Sequence, residues 1–128
     1  MTYCVGMLLD EGLVFLSDSR TNAGVDQINT FRKMNFFEKA GDRVLILMTS
    51  GNLAITQSLV SILREDIQAG DDRPTLMNVD NLFEAARVVG NGMREVHKRD
   101  AEALKAFGIE FGAALILCFT ASTLYHSV

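Results

Sequence analysis

The first two dozen residues constrain this chain more than any other stretch. Val5-Gly6-Met7-Leu8-Leu9 is an apolar run of strand length, and Asp10-Glu11-Gly12 is turn chemistry. Leu13-Val14-Phe15-Leu16 is a second run, closed by Ser17-Asp18-Ser19-Arg20. A chain end frays unless something ties it down, and a strand suited to burial does so. The position of Thr2 is therefore fixed. If Met1 is removed, which the small residue after it permits, Thr2 carries a hydroxyl beside a free α-amine. That pair is a nucleophile with its own base. The plainer reading is an ordinary second residue behind a retained Met1.

The rest of the chain supplies one domain over residues 1–128. After Arg20, residues 21–30 are polar and turn-rich and read as a loop. Phe31 to Lys39 reads as a strand with Lys33 inside it. Val44-Leu45-Ile46-Leu47-Met48 reads as a strand buried on both faces. Thr49-Ser50-Gly51-Asn52 closes it and opens a helix, in which Ile55, Leu59, Ile62, Leu63 and Ile67 keep the helical period and Gly70 is the stop. A second helix spans about Val79 to Ala106, with Asn78 or Asp80 as N-cap and Gly108 as its end. Its stripe is Leu82, Ala85, Ala86, Val89, Met93, Val96 and Leu104, and Gly90 and Gly92 mark a bend or a close helix contact. Phe111 to Cys118 is a last strand, and Phe119 to Val128 has no clear period. Strands joined by short turns imply antiparallel pairing, and two adjacent helices imply a helical layer on one face.

Bulk properties narrow the function classes. Hydrophobic content of 48% with 22% charged residues is that of a folded domain. A net charge of −4 with no basic stripe argues against nucleic acid as a partner. No apolar run approaches the roughly 20 residues of a membrane span, and the first residues lack a signal-peptide pattern. Cys4 and Cys118 sit in apolar runs and read as reduced core residues rather than a disulfide. Neither they nor His97 and His126 have metal-ligand spacing, and the histidines read as solvent-facing or packing residues. The expectation is a soluble cytoplasmic protein without metal or cofactor.

Four positions could carry chemistry. Besides Thr2, Asp18 offers a carboxylate at a strand end, where a generic turn is the alternative. Lys33 either snorkels outward from its strand or is buried and paired. Gly51 lies at a helix N-terminus with no side chain before its N–H, which suits an oxyanion donor as well as a plain turn. A threonine, amine, lysine and aspartate held together could activate a neutral hydroxyl near pH 7.

Taken together, these residues resemble the β-subunits of the proteasome family, which are N-terminal-nucleophile hydrolases. The matching positions are Thr2, Ser17-Asp18-Ser19-Arg20, Lys33 and Thr49-Ser50-Gly51. The wording from Thr2-Tyr3-Cys4-Val5-Gly6 through Thr21-Asn22-Ala23-Gly24 to Phe31-Arg32-Lys33 looks like the family's bacterial homologue group, Anbu. The resemblance covers roughly residues 2–117. It implies an α+β fold, the αββα sandwich of that family, here only its N-terminal half. It implies a threonine-type peptidase acting on peptide or unfolded-protein substrates, without cofactor, in a homo-oligomer of like subunits. Thr2 matches the nucleophile, its amine the proton acceptor, Asp18 the carboxylate that orients the lysine, Lys33 that lysine, and Gly51 the oxyanion glycine.

The sequence also departs from that pattern. A serine and an aspartate of the family's later half match no position here, and residues 119–128 do not look like the family. The chain looks C-terminally truncated, so a sheet suited to burial on both faces is expected to expose one of them. The isolated chain is then expected to be inactive, or active only with another chain, and to serve in the alternative as an assembly or regulatory module.

Overall fold

The computed structural model describes residues 2–22, 28–106 and 113–120. Its elements are β1 (Cys4–Leu9), β2 (Gly12–Ser17), β3 (Arg20–Asn22), β4 (Ile28–Thr30), β5 (Met34–Lys39), β6 (Arg43–Gly51), α1 (Leu53–Ala69), α2 (Leu82–Ala106) and β7 (Ala113–Thr120). All pairings are antiparallel: β1 with β2, β3 with β4, and β5-β6-β7 as a three-stranded sheet. Asp10 and Glu11 turn the first hairpin, which pairs Leu9 with Gly12.

β6 organises the core. Leu45 and Leu47 are fully buried and Val44 and Met48 nearly so, as the unbroken apolar run requires. Above them lies the helical layer. Ile55, Leu59, Ile62 and Leu63 of α1 meet Ala85, Val88, Val89 and Val96 of α2, with Leu76 and Val79 filling the corner between the helices. Each fully buried leucine contributes about 1.5–3 kcal/mol relative to exposure. Asn52 caps α1 by accepting from the Ala54 and Ile55 amides at 2.9 and 3.3 Å. Gly70 ends it in the left-handed region at φ 65°.

Several expectations need correction. Residues 21–30 are not simply a loop, because Arg20↔Thr30, Thr21↔Asn29 and Asn22↔Ile28 pair as a short hairpin. Its strands carry no apolar alternation, so periodicity could not mark them. Lys33 precedes β5 instead of lying inside it: the Phe31 amide bonds Ser19 O at 2.7 Å and Lys33 O accepts from the Thr49 amide at 2.8 Å, so the segment steps from one pairing to the next. In α2, Leu82 and Ala86 are exposed and Val88 and Gly92 are buried in their place. Neither Asn78 nor Asp80 caps that helix. Asn78 is committed to its turn through Thr75 and Arg73, and Asn81 accepts from the Glu84 amide at 2.9 Å. The last strand, Ala113–Thr120, takes in Phe119 and Thr120 from the expected tail, and its expected start at Phe111 lies outside the described residues. Gly108, His126 and residues 121–128 lie outside the described residues.

The first strand is the largest correction. β1 was expected to be buried, yet Met7, Leu8 and Leu9 are exposed, as are Leu13, Val14 and Leu16 of β2. Val5 and Phe15 are half-buried, and the exposed side chains lie on both faces of the hairpin, more than the one open face that the sequence led us to expect. No helix among the described residues is long and apolar enough to cross a membrane.

Candidate active site

Three backbone segments converge on one carboxylate. Asp18 follows β2 directly, and its Oδ1 accepts from the Tyr3 amide at 2.7 Å. The Asp18 amide in turn donates to Tyr3 O at 3.0 Å. This two-way clasp extends the β1–β2 pairing by one residue pair and sets the peptide that joins Thr2 to Tyr3. Oδ2 of the same carboxylate accepts from Lys33 Nζ at 2.7 Å. The lysine is buried, at 6% exposure. It does not snorkel, and its ammonium also donates to Arg20 O at 2.7 Å. A buried ammonium requires such partners, and this one has a carboxylate and a carbonyl.

The electrostatics follow from these contacts. The Lys33 hydrogen bond, then the Tyr3 amide, hold the Asp18 carboxyl below the usual carboxylate range, against a smaller opposing effect of desolvation. Cys4, half-buried and free, has its thiol pushed up by burial and then by Asp18, with Lys33 offsetting part of the effect. Among the described residues, no cluster of His, Cys, Asp and Glu could hold a metal ion.

Gly51 ends β6 at φ 114°, a conformation that side chains rarely adopt. Its neighbour Asn52 is the cap of α1, so the Gly51 peptide sits at the positive end of that helix. Lys33 O accepts the amide of Thr49, two residues before Gly51, and so ties the lysine segment to the end of β6. Thr2 is half-buried at the head of β1. The structure thus joins Asp18 and Lys33 directly, holds the Thr2–Tyr3 peptide on Asp18, and connects Gly51 to the lysine through β6.

No protein-family model and no curated protein matches the chain. Solved structures do. Anbu, an ancestral β-subunit, from Yersinia bercovieri is 43% identical with a TM-score of 0.79, over 94% of this chain and 48% of that one. The helical assembly of the Anbu complex from Pseudomonas aeruginosa gives 39% identity and a TM-score of 0.82, over 95% and 49%. A Gly-1 mutant of Anbu from Hyphomicrobium sp. strain MC1 gives 37% and 0.79, over 94% and 48%.

This chain is Anbu-like. Its α+β fold is the proteasome-like N-terminal-nucleophile fold, and it spans about half the length of the Anbu chains it matches. Three groups around Asp18 and Lys33 escaped sequence reasoning: the carbonyl of Arg20, the amide of Tyr3 and the amide of Thr49. All are main-chain groups, which no residue type announces. The one available signal was the burial of Lys33, since a buried ammonium implies a carbonyl or carboxylate in reach.

Proposed function

We propose that this chain is a proteasome-related threonine peptidase subunit, with Thr2 as the nucleophile once Met1 is removed. The observation that carries the reading is the single carboxylate of Asp18, which holds both the residue after Thr2 and the ammonium of Lys33. The Thr2 hydroxyl attacks the substrate carbonyl carbon, and the Thr2 amine takes the hydroxyl proton. Lys33, held in place by Asp18 and Arg20 O, eases that transfer. The Gly51 amide, at the helix N-terminus, faces the developing oxyanion. The leaving amine departs with a proton, an ester remains on Thr2, and water hydrolyses it.

In this reading the subunit is cytoplasmic, acts on peptides or unfolded chains, and assembles with its own kind. A helical assembly is the form given for the Pseudomonas aeruginosa Anbu complex.

A second reading has its own observation, the exposed apolar face of β1–β2. A patch of that kind marks an interaction surface, so the chain would serve as an assembly module without chemistry. Intact mass separates the two. Loss of Met1 and a covalent β-lactone adduct that Thr2→Ala abolishes support the peptidase. A retained Met1 acylates the amine and sinks it.

A further inference from the structure

Thr49 is the first polar residue after the apolar run of β6, and it is as buried as that run, at 3% exposure. A hydroxyl withdrawn from water needs an acceptor. The Thr49 hydroxyl donates to Lys33 O at 3.4 Å, the same oxygen that accepts the Thr49 amide at 2.8 Å. Both donors of one residue thus converge on one carbonyl. Valine would fill the same place in a buried strand with no polar group to satisfy, so packing alone does not account for the hydroxyl.

Strand register shows what these bonds add. Met34↔Met48 is the last pair of the β5–β6 ladder, and Lys33 lies one residue beyond it. On its other side β6 goes on pairing with β7, through Thr49↔Leu115 to Gly51↔Ala113. Thr49 is therefore fixed in the sheet just where the lysine segment leaves it. Lys33 is then gripped at both ends. Its carbonyl is held by Thr49, and its ammonium by Asp18 Oδ2 and Arg20 O at 2.7 Å each. A lysine stem is flexible, so its ammonium returns to one point only when the root of the side chain is fixed as well.

We propose that Thr49 is a positioning residue for the reaction: its hydroxyl fixes the main chain of Lys33 and so sets the ammonium on Asp18 for the proton transfer at Thr2. The proposal rests on the threonine-peptidase reading for the reaction, but the placement of the ammonium can be measured without it. Thr49→Val removes the hydroxyl and keeps the branched shape, and Thr49→Ser keeps the hydroxyl. In the full chain, NMR follows the exchange of the Lys33 Nζ protons with water and the titration of the Asp18 carboxyl. With Thr49→Val the ammonium protons should exchange at least about threefold faster, and Asp18 should titrate closer to its ordinary value, because the lysine bond that holds it low is loosened. Thr49→Ser should match wild type in both. Thermal melts of each variant separate this from a structural role, which would lower the Thr49→Val midpoint and leave both signals at their wild-type values. Unchanged signals in Thr49→Val overturn the proposal. So do equal changes in Thr49→Ser, since the hydroxyl is then not what holds the lysine. The β-lactone adduct is scored separately, and its rate should fall about tenfold in Thr49→Val and recover in Thr49→Ser. One adduct rate for all three proteins defeats the role of Thr49 and leaves Thr2 standing. The NMR changes without any wild-type adduct defeat Thr2 as nucleophile and leave the placement of Lys33 by Thr49 standing.

Discussion

The Lys33 ammonium and the Asp18 carboxylate meet at 2.7 Å across fifteen residues of sequence, and the same carboxylate holds the Tyr3 amide with its other oxygen. Its protonation should therefore be felt by the whole fold. Asp18 titrates lower folded than unfolded. Its contribution to stability is then complete above the ordinary value of 3.8 and is lost as pH falls through the lower folded value. Urea midpoints measured between about pH 5 and about pH 2 should fall more steeply for wild type than for Asp18→Asn. Parallel curves would show that the pair does not couple to folding.

The two glycines of α2 should respond oppositely to alanine. At Gly90 an added Cβ meets only Arg94 Nη1 at 3.8 Å, an ordinary contact, and helix propensity alone should stabilise Gly90→Ala by about 1 kcal/mol. At Gly92 the Cβ falls 2.8 Å from Leu59 Cδ1, and Leu59 is fully buried. Overpacking there costs about 1–3 kcal/mol, enough to cancel or reverse the gain. Thermal melts of both variants decide it, and equal stabilisation would mean that Leu59 moves aside freely.

Asn52→Ala removes the acceptor for two α1 amides and should cost about 1 kcal/mol. Asn52→Asp should retain most of that. Because the cap adjoins Gly51, the alanine variant should also slow formation of any Thr2 adduct beyond what the stability loss explains. An adduct rate identical to wild type would separate the cap from the oxyanion position.

Leu8 and Leu16 are 82% and 60% exposed. Replacing both with Lys should shift stability by no more than about 0.5 kcal/mol per site while lowering dye binding and self-association. Sedimentation velocity reads the second effect. A loss of several kcal/mol would instead mean that these side chains are covered in solution.

The helical layer and β6 could be read from sequence because burial there imposes a period or an unbroken apolar run. Asn52 and Gly70 were legible as punctuation for the same reason, each doing a job that few residue types can do. The Asp18–Lys33 ion pair was legible only as one of two options, since a lysine amid apolar residues either snorkels outward or finds a partner. The β3–β4 hairpin was not, because Arg20-Thr21-Asn22 and Ile28-Asn29-Thr30 carry no apolar alternation. The cap of α2 was misplaced among Asn78, Asp80 and Asn81. All three are capping residues, and only the Asn78 bonds to Thr75 and Arg73 take it out of contention. The exposure of β1 differs in kind: its composition suits burial, and composition says nothing about whether a cover is present.

The clasp between Asp18 and Tyr3 has a consequence for how the site matures. It grips the amide on the C-terminal side of Thr2, whereas loss of Met1 breaks the amide on the other side. Under the proposed function, the bonds from Asp18 to Tyr3 would not have to break when the Thr2 amine is freed, so the framework that holds the nucleophile would be in place beforehand.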